Sequence, residues 1–230
     1  MRIKEFAMVQ ERRPSQGHFG DVYPKGVWRQ FHKKVSRKLS RNVVSLASFN
    51  ASLVGDSDLA NKIFDGLRIE VLLPKGQRVD GTLMHYNLHY NVALVSVKNY
   101  TAASPAILKH KKSPSEVIAV GRRFESGDLM ASRGELVGWS GSLDCDILQY
   151  STCKITKAGI GGPLVDDDGN YIGMNFYDPK IGTPALFHDD ILHILKGFKK
   201  PRKRTSGRNR DDTVCMKSLM FFPCGLCLSV

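Results

Sequence analysis

Between Arg41 and Gly197 the chain is a succession of short apolar runs, each cut off within a few residues by glycine, aspartate, asparagine or serine. NVVSLASF, LRIEVLL, QRVDGTLMHY and NVALVSV fill the first half, and EVIAVGRRF, LMASRGELVGW, CDILQYSTCKI, GGPLVDDDG and NYIGMNFYD the second. Runs of this length and β-branched content read as strands, too short and too often broken for helices. In NVALVSV, Val92 and Leu94 share one face while Ala93, Val95 and Val97 share the other, so this strand is expected to meet core on both sides or to lie in a barrel wall. LPKGQRV, with Pro74, Lys75 and Gly76 between two runs, reads as a hairpin, and DDDGN (Asp166 to Asn170) as a tight turn whose Asp168-Gly169 pair tolerates positive φ. Only HDDILHILKGF has helical spacing, with Ile191, Leu192, Ile194, Leu195 and Phe198 on one face and Asp189 and Asp190 favouring its N-terminus. The expectation is an all-β fold, barrel or sandwich, with one short C-terminal helix.

The net charge of +12 is concentrated outside this body. Residues 1–41 hold eleven Lys/Arg against three acids, and residues 196–210 hold eight against none. Residues 42–195 hold fourteen Lys/Arg and seventeen Asp/Glu, which argues against a basic nucleic-acid-binding core and for basic arms on a neutral domain. With Pro14, Gly17, Gly20, Pro24 and Gly26 scattered among the charges, residues 1–41 read as a mostly irregular basic extension. Weak nucleic-acid contact through these flanks is an expectation of the charge alone.

MRIKEFAMVQERR has no apolar run of secretory length and carries Glu5 and Glu11, and no stretch reaches the length of a membrane span. A nuclear or cytoplasmic compartment is the expectation, with Cys145, Cys153, Cys215, Cys224 and Cys227 as reduced thiols. No cofactor is implied.

The stretch AGIGGPLVDDDGNYIGMNF, Ala158 to Phe176, resembles the G-x-S-G-G-P-L segment and following strand of trypsin-like serine proteases of the HtrA/Deg (Do-like) family, in its plant Do-like branch. VIAVGRRFESGDLMASRGELVG, DILQYSTCKITKAG and RIEVLLPKGQRVDGTLMHYNLHYNVALVSV are similar to the strands that precede it in that family. The similarity covers roughly residues 42–197. It implies a trypsin-like double β-barrel with the active site between the barrels. The family places two further strands between its first strand and its histidine. Here only Ala47 to Asn50 separate VVSL from ASLV, so the first barrel is expected to be incomplete. An incomplete barrel leaves an edge of unpaired N–H and C=O groups, to be covered by residues 1–41 or by a partner. The expected organisation is a basic N-terminal extension (1–41), an incomplete first barrel (42–100), a second barrel with the short helix (101–197) and a basic, then apolar, tail (198–230). No PDZ-like module is visible after the helix.

Peptide hydrolysis on this fold needs a hydroxyl nucleophile, an imidazole to take its proton and a carboxylate to orient the imidazole. The resemblance places the nucleophile at Ile160, the carboxylate at Asn91 and, through the loose match NASLV, the histidine at Ser52. Isoleucine has no heteroatom to attack a carbonyl, and asparagine carries no charge to stabilise imidazolium. The turn itself is retained. Gly161 and Gly162 permit the sharp bend, and Ala158, Gly159 and Ile160 would form the vestige of an oxyanion hole, with the N–H groups of Ala158 and Ile160 as its donors. Cys153 or Ser151, with His85 or His89, is the alternative nucleophile to be weighed.

Other features read more plainly. His85-x-x-x-His89 has metal-ligand spacing but lies on a strand end, where surface histidines are the simpler reading. Asp166, Asp167 and Asp168 fit a solvated turn better than a cation site. KKPRKR, with Lys199, Lys200, Arg202, Lys203 and Arg204, fits a nuclear-import run or a solvated linker. Cys227 stands where a prenylated cysteine would, with serine at a poorly matching place. The functional expectation is a catalytically inactive homologue that binds a peptide or protein. The alternatives are an active serine-type endopeptidase and a basic nuclear adaptor using the barrel as scaffold.

Overall fold

The computed structural model describes residues 19–49, 67–87, 89–100, 115–137, 147–177 and 182–198, and the backbone alone of Met220–Phe222. Among the described residues twelve strands form two sheets: β1 (Asp21–Val22), β2 (Ser45–Phe49), β3 (Arg68–Leu72), β4 (Arg78–Asn87), β5 (Val92–Val97), β6 (Glu116–Arg122), β7 (Leu129–Val137), β8 (Leu148–Ser151), β9 (Pro163–Val165), β10 (Tyr171–Asn175), β11 (Thr183–Phe187) and β12 (Met220–Phe222). The helices are α1 (Lys33–Asn42) and α2 (His188–Phe198).

The second half closes into a six-stranded barrel, in the order β7-β6-β9-β10-β11-β8 and back to β7. Closure works because β7 is long. Its end, Leu136 and Val137, pairs with Ser151 and Tyr150 of β8. Its start, Met130 and Ala131, pairs with Val22 and Asp21 of β1. Since β6 occupies the other edge of β7, β1 and β8 lie end to end along one edge. The barrel interior is Val117, Ala119, Cys153, Leu164, Ile172, Ala185 and Phe187.

Strand β6 reads as an almost unbroken apolar run because both its faces are covered. Val117 and Ala119 point into the barrel, while Ile118 and Val120 meet an outer cluster built by Trp28, Phe31, Leu39 and Val43. For residues 19–41 that cluster corrects the expectation of an irregular extension, and residues 1–18 lie outside the described residues. Gly20 and Gly26 do adopt positive φ, +46° and +55°, yet they serve a folded segment. A Cβ on Gly26 would collide with the carboxylate of Asp21, which instead accepts the Val27 N–H at 2.8 Å. The carbonyl of Asp21 accepts from the Trp28 indole at 2.9 Å. The chain then enters α1, which buries Ser36 and Leu39 against the barrel. So the structure has a second helix that strand-type reading did not foresee.

The end of α1 is fastened by one side chain. The guanidinium of Arg122, 8% exposed, donates from Nε to the Val43 carbonyl at 2.8 Å, from Nη2 to the Ser40 carbonyl at 2.9 Å and from Nη1 to the Gly127 carbonyl at 2.6 Å. The first two carbonyls lie at the C-terminal end of α1, where a helix leaves acceptors unmatched and a cation is favourable. Burial lowers the Arg122 pKa, opposed by Tyr100 and Asp128.

The first half is an antiparallel meander, β2-β3-β4-β5, in an open five-stranded sheet with β12 added to β5. Among the described residues it does not close, as an incomplete first barrel requires. Ile69, Val71, Leu73, Val95 and Val97 form its core. Val92 and Leu94, on the opposite face of β5, pack with Met174, Phe176, Leu186 and the Ile191, Ile194 and Leu195 face of α2. The two-faced pattern of β5 therefore makes it the wall shared by both halves.

Candidate active site turn

Between β8 and β9 the chain forms a 3-10 turn, Lys157–Gly159, capped by the Thr156 hydroxyl. Ile160 follows in an extended conformation, φ −63° and ψ 132°, and is half-buried. Every N–H from residue 158 to 162 is already donated. Ala158 donates to Thr156 Oγ1 (3.4 Å) and Gly159 to the Thr156 carbonyl (2.9 Å). Ile160 donates to the Lys157 carbonyl (3.2 Å), Gly161 to Asn175 (2.8 Å) and Gly162 to Gly159 (3.1 Å). Stabilising an oxyanion requires free donors aimed at the oxygen. The N–H groups of Ala158 and Ile160, read from the sequence as pointing into a vestigial hole, are instead directed back into their own turn.

The glycines answer to packing. Gly161 has φ +74°, in the left-handed region. A Cβ on Gly162 would sit 2.0 Å from the Val120 carbonyl oxygen. A Cβ on Gly159 would meet Phe19 Cζ at 3.0 Å, and one on Gly121 would meet Phe19 Cε1 at 2.6 Å. The ring of Phe19, 3% exposed, thus rests on the backbone of the turn. Sequence reasoning missed Phe19, whose only signal was the pair of glycines that make room for it.

Asn175 ties the turn to β10. Its N–H donates to the Gly162 carbonyl at 2.9 Å and its side-chain amide to the Pro163 carbonyl at 3.1 Å. Its neighbours Met174 and Phe176 belong to the cluster shared with Val92. Asn91 precedes Val92 directly. It has φ +55°, a conformation asparagine tolerates better than most residues, and its buried Oδ1 has no hydrogen-bond partner among the described residues. The turn is thus tied through Asn175 to β10, whose Met174 shares a cluster with Val92, the residue after Asn91. Ser52 lies outside the described residues, as do the basic run Lys199, Lys200, Arg202, Lys203 and Arg204, and Cys227.

The alternative nucleophiles are poorly placed. Cys153 is 2% exposed, its Sγ lies 3.7 Å from the Val117 carbonyl, and burial pushes its thiol pKa up. A reactive thiol needs the opposite surroundings. Ser151 is buried on β8. His85 stacks on Phe198 with ring centroids 5.3 Å apart, and His89 meets Tyr90 edge-on at 4.6 Å. In the acidic turn, Asp166 accepts from the Asn170 backbone and side chain, both at 2.8 Å, and Asp167 pairs with Arg133 at 2.7 Å.

The architecture and the comparisons agree. The chain is similar to that of the crystal structure of Deg5, with a TM-score of 0.56 at 18% identity, covering 74% of this chain and 93% of that one. It is 29% identical over 147 residues to the putative protease Do-like 14 of Arabidopsis thaliana, an alignment covering 58% of this chain. That alignment takes in 34% of the relative, so the chain spans about a third of its length. Residues 50–174 match the trypsin-like peptidase domain, more than half of the chain. With a closed six-stranded barrel, a second sheet against it and the glycine turn between β8 and β9, this chain belongs to the trypsin-like peptidase domain family, with relatives among the Do-like proteases.

Proposed function

We propose that the protein is a catalytically inactive trypsin-fold homologue that binds an extended peptide or protein segment. The observation that carries the inactive part is Ile160 with its turn. A hydrocarbon side chain stands at the position that resemblance gives the nucleophile, and both adjacent donors are engaged internally. Asn91 adds no charge that would support an imidazolium.

The binding part is supported by the open first sheet. Its β5 edge accepts β12 antiparallel, with Met220 opposite Val95, Phe221 opposite Leu94 and Phe222 opposite Ala93. An edge that takes up a strand from the chain's own distant tail has the geometry to take one from a partner.

A serine-directed fluorophosphonate probe should leave the purified protein unlabelled, and Ile160→Ser alone should gain no peptidase activity. Stoichiometric labelling of one serine would instead mark an active endopeptidase. For binding, a labelled peptide spanning residues 217–224 should bind more tightly to a Met220→Pro/Phe221→Pro variant than to the wild type, whose own strand competes. Equal weak binding to both would remove the strand-accepting role.

A further inference from the structure

We propose that the exposed face of α1 is a docking surface for the phosphate backbone of a nucleic acid. The helix carries Lys33, Lys34, Arg37, Lys38 and Arg41, all exposed, and no acidic residue. At about 100° per residue these five fall within an arc of about 140°. Val35, Ser36 and Leu39 fall on the opposite side, where Ser36 and Leu39 are buried and Val35 is packed against the outer cluster. None of the five cations forms an ion pair among the described residues. The preceding turn adds exposed Lys25 and Arg29.

Acids border this surface but are outnumbered by its seven cations. The turn Asp166–Asn170 abuts α1 beside Val35, since a Cβ on Gly169 would lie 2.5 Å from Val35 Cγ1. Within it Asp167 is paired with Arg133, Asp166 is buried and hydrogen-bonded by Asn170, and Asp168 is exposed. Asp21 is engaged by the Val27 N–H.

Three features select the partner. The helix is held in place by Arg122 at its C-terminal end and by Trp28 and Phe31 before its start, so the cations form a rigid row and not a floating arm. Five charges over about 12 Å of helix approach the density of a duplex, which presents a charge about every 1.7 Å. A membrane-surface helix needs a free apolar face to insert, and the apolar face of α1 is already used in the core. The nucleic acid would be recognised by its backbone, without base readout.

The test is fluorescence anisotropy of the full chain with a labelled mixed-sequence 20-base-pair duplex, in salt from 50 to 200 mM. Each phosphate contact contributes about 0.9 to the slope of log affinity against log salt. The quadruple variant Lys33→Gln/Arg37→Gln/Lys38→Gln/Arg41→Gln should therefore lower the slope by about 3.6, whatever other contacts contribute. Over that fourfold salt range it should lose about 150-fold of the wild type's salt sensitivity. All four sites are exposed, so the circular dichroism spectrum should not change. Neutralising the Lys199–Arg204 run instead should leave the α1 increment intact. The proposal is overturned if the full chain does not bind duplex at 50 mM salt, or if the quadruple variant changes the slope by less than one. It is also overturned if phosphatidylserine vesicles compete the protein off duplex at equal phosphate concentration.

Discussion

Replacing Arg122 by alanine should unfasten α1 and the segment before it. The side chain is 8% exposed and makes three hydrogen bonds of 2.6 to 2.9 Å to the carbonyls of Ser40, Val43 and Gly127. Hydrogen bonds to a charged group contribute about 1.5–3 kcal/mol each. Simple addition would overstate the loss, because desolvating the guanidinium costs several kcal/mol and that cost disappears with it. The carbonyls left behind are partly able to rehydrate, since two of the three bonds are only part-buried. The balance is a loss of about 3–4 kcal/mol, at the upper end of what single substitutions cost, with three carbonyls left short of a donor. Arg122→Lys should recover a minority of it, because one ammonium cannot reach three carbonyls spread around a planar fork.

Two measurements check this. Urea unfolding followed by circular dichroism gives the global loss. Limited trypsin digestion gives the local one, since Lys33, Lys34, Arg37, Lys38 and Arg41 become cleavable when α1 leaves the barrel. The alanine variant should be cut first within α1, while wild type resists there. If Arg122→Ala unfolds within about 0.5 kcal/mol of wild type and α1 stays protected, the fastening role is wrong.

Gly162→Ala should cost about 3 kcal/mol or more in thermal or urea unfolding, because its Cβ would fall 2.0 Å from the Val120 carbonyl oxygen. Gly76→Ala is the control: φ is +85° there but no atom lies within 4 Å of the added Cβ, so only the conformational cost of about 1–2 kcal/mol should appear. The Cys153 thiol should resist alkylation in the native protein at pH 8, because burial raises its pKa and reduces the thiolate present, and should react once the chain is unfolded; peptide mapping that finds it modified under native conditions would contradict this.

The strands were legible wherever a single physical requirement shaped the run. Both-face burial wrote β5 and β6 as unbroken apolar segments, and the turn at Asp168-Gly169 announced itself chemically. The helix α1 was hidden for an equally physical reason. Within the helix only Val35 and Leu39 join the outer cluster, a thin apolar series diluted by exposed cations, and their partners Trp28 and Phe31 lie before its start. Composition reports the exposed face and mutes the buried one. Pairings distant in sequence left no trace at all: β12 joins β5 across more than a hundred residues, and Arg122 reaches back to Ser40 and Val43.

The glycine pattern that marks the turn is legible for reasons separable from catalysis. Gly159 and Gly121 give way to the ring of Phe19, Gly161 holds φ at +74°, and Gly162 clears the Val120 carbonyl. Each requirement belongs to how the barrel wall, the N-terminal segment and β10 fit together. None depends on what side chain residue 160 carries. That residue sits at φ −63° and ψ 132°, in the extended region that a β-branched side chain favours, and its N–H is used within the turn. The fold can therefore keep the outline of a protease turn while hydrocarbon occupies its centre, and the outline alone reports architecture, with chemistry decided by the one position the packing leaves free.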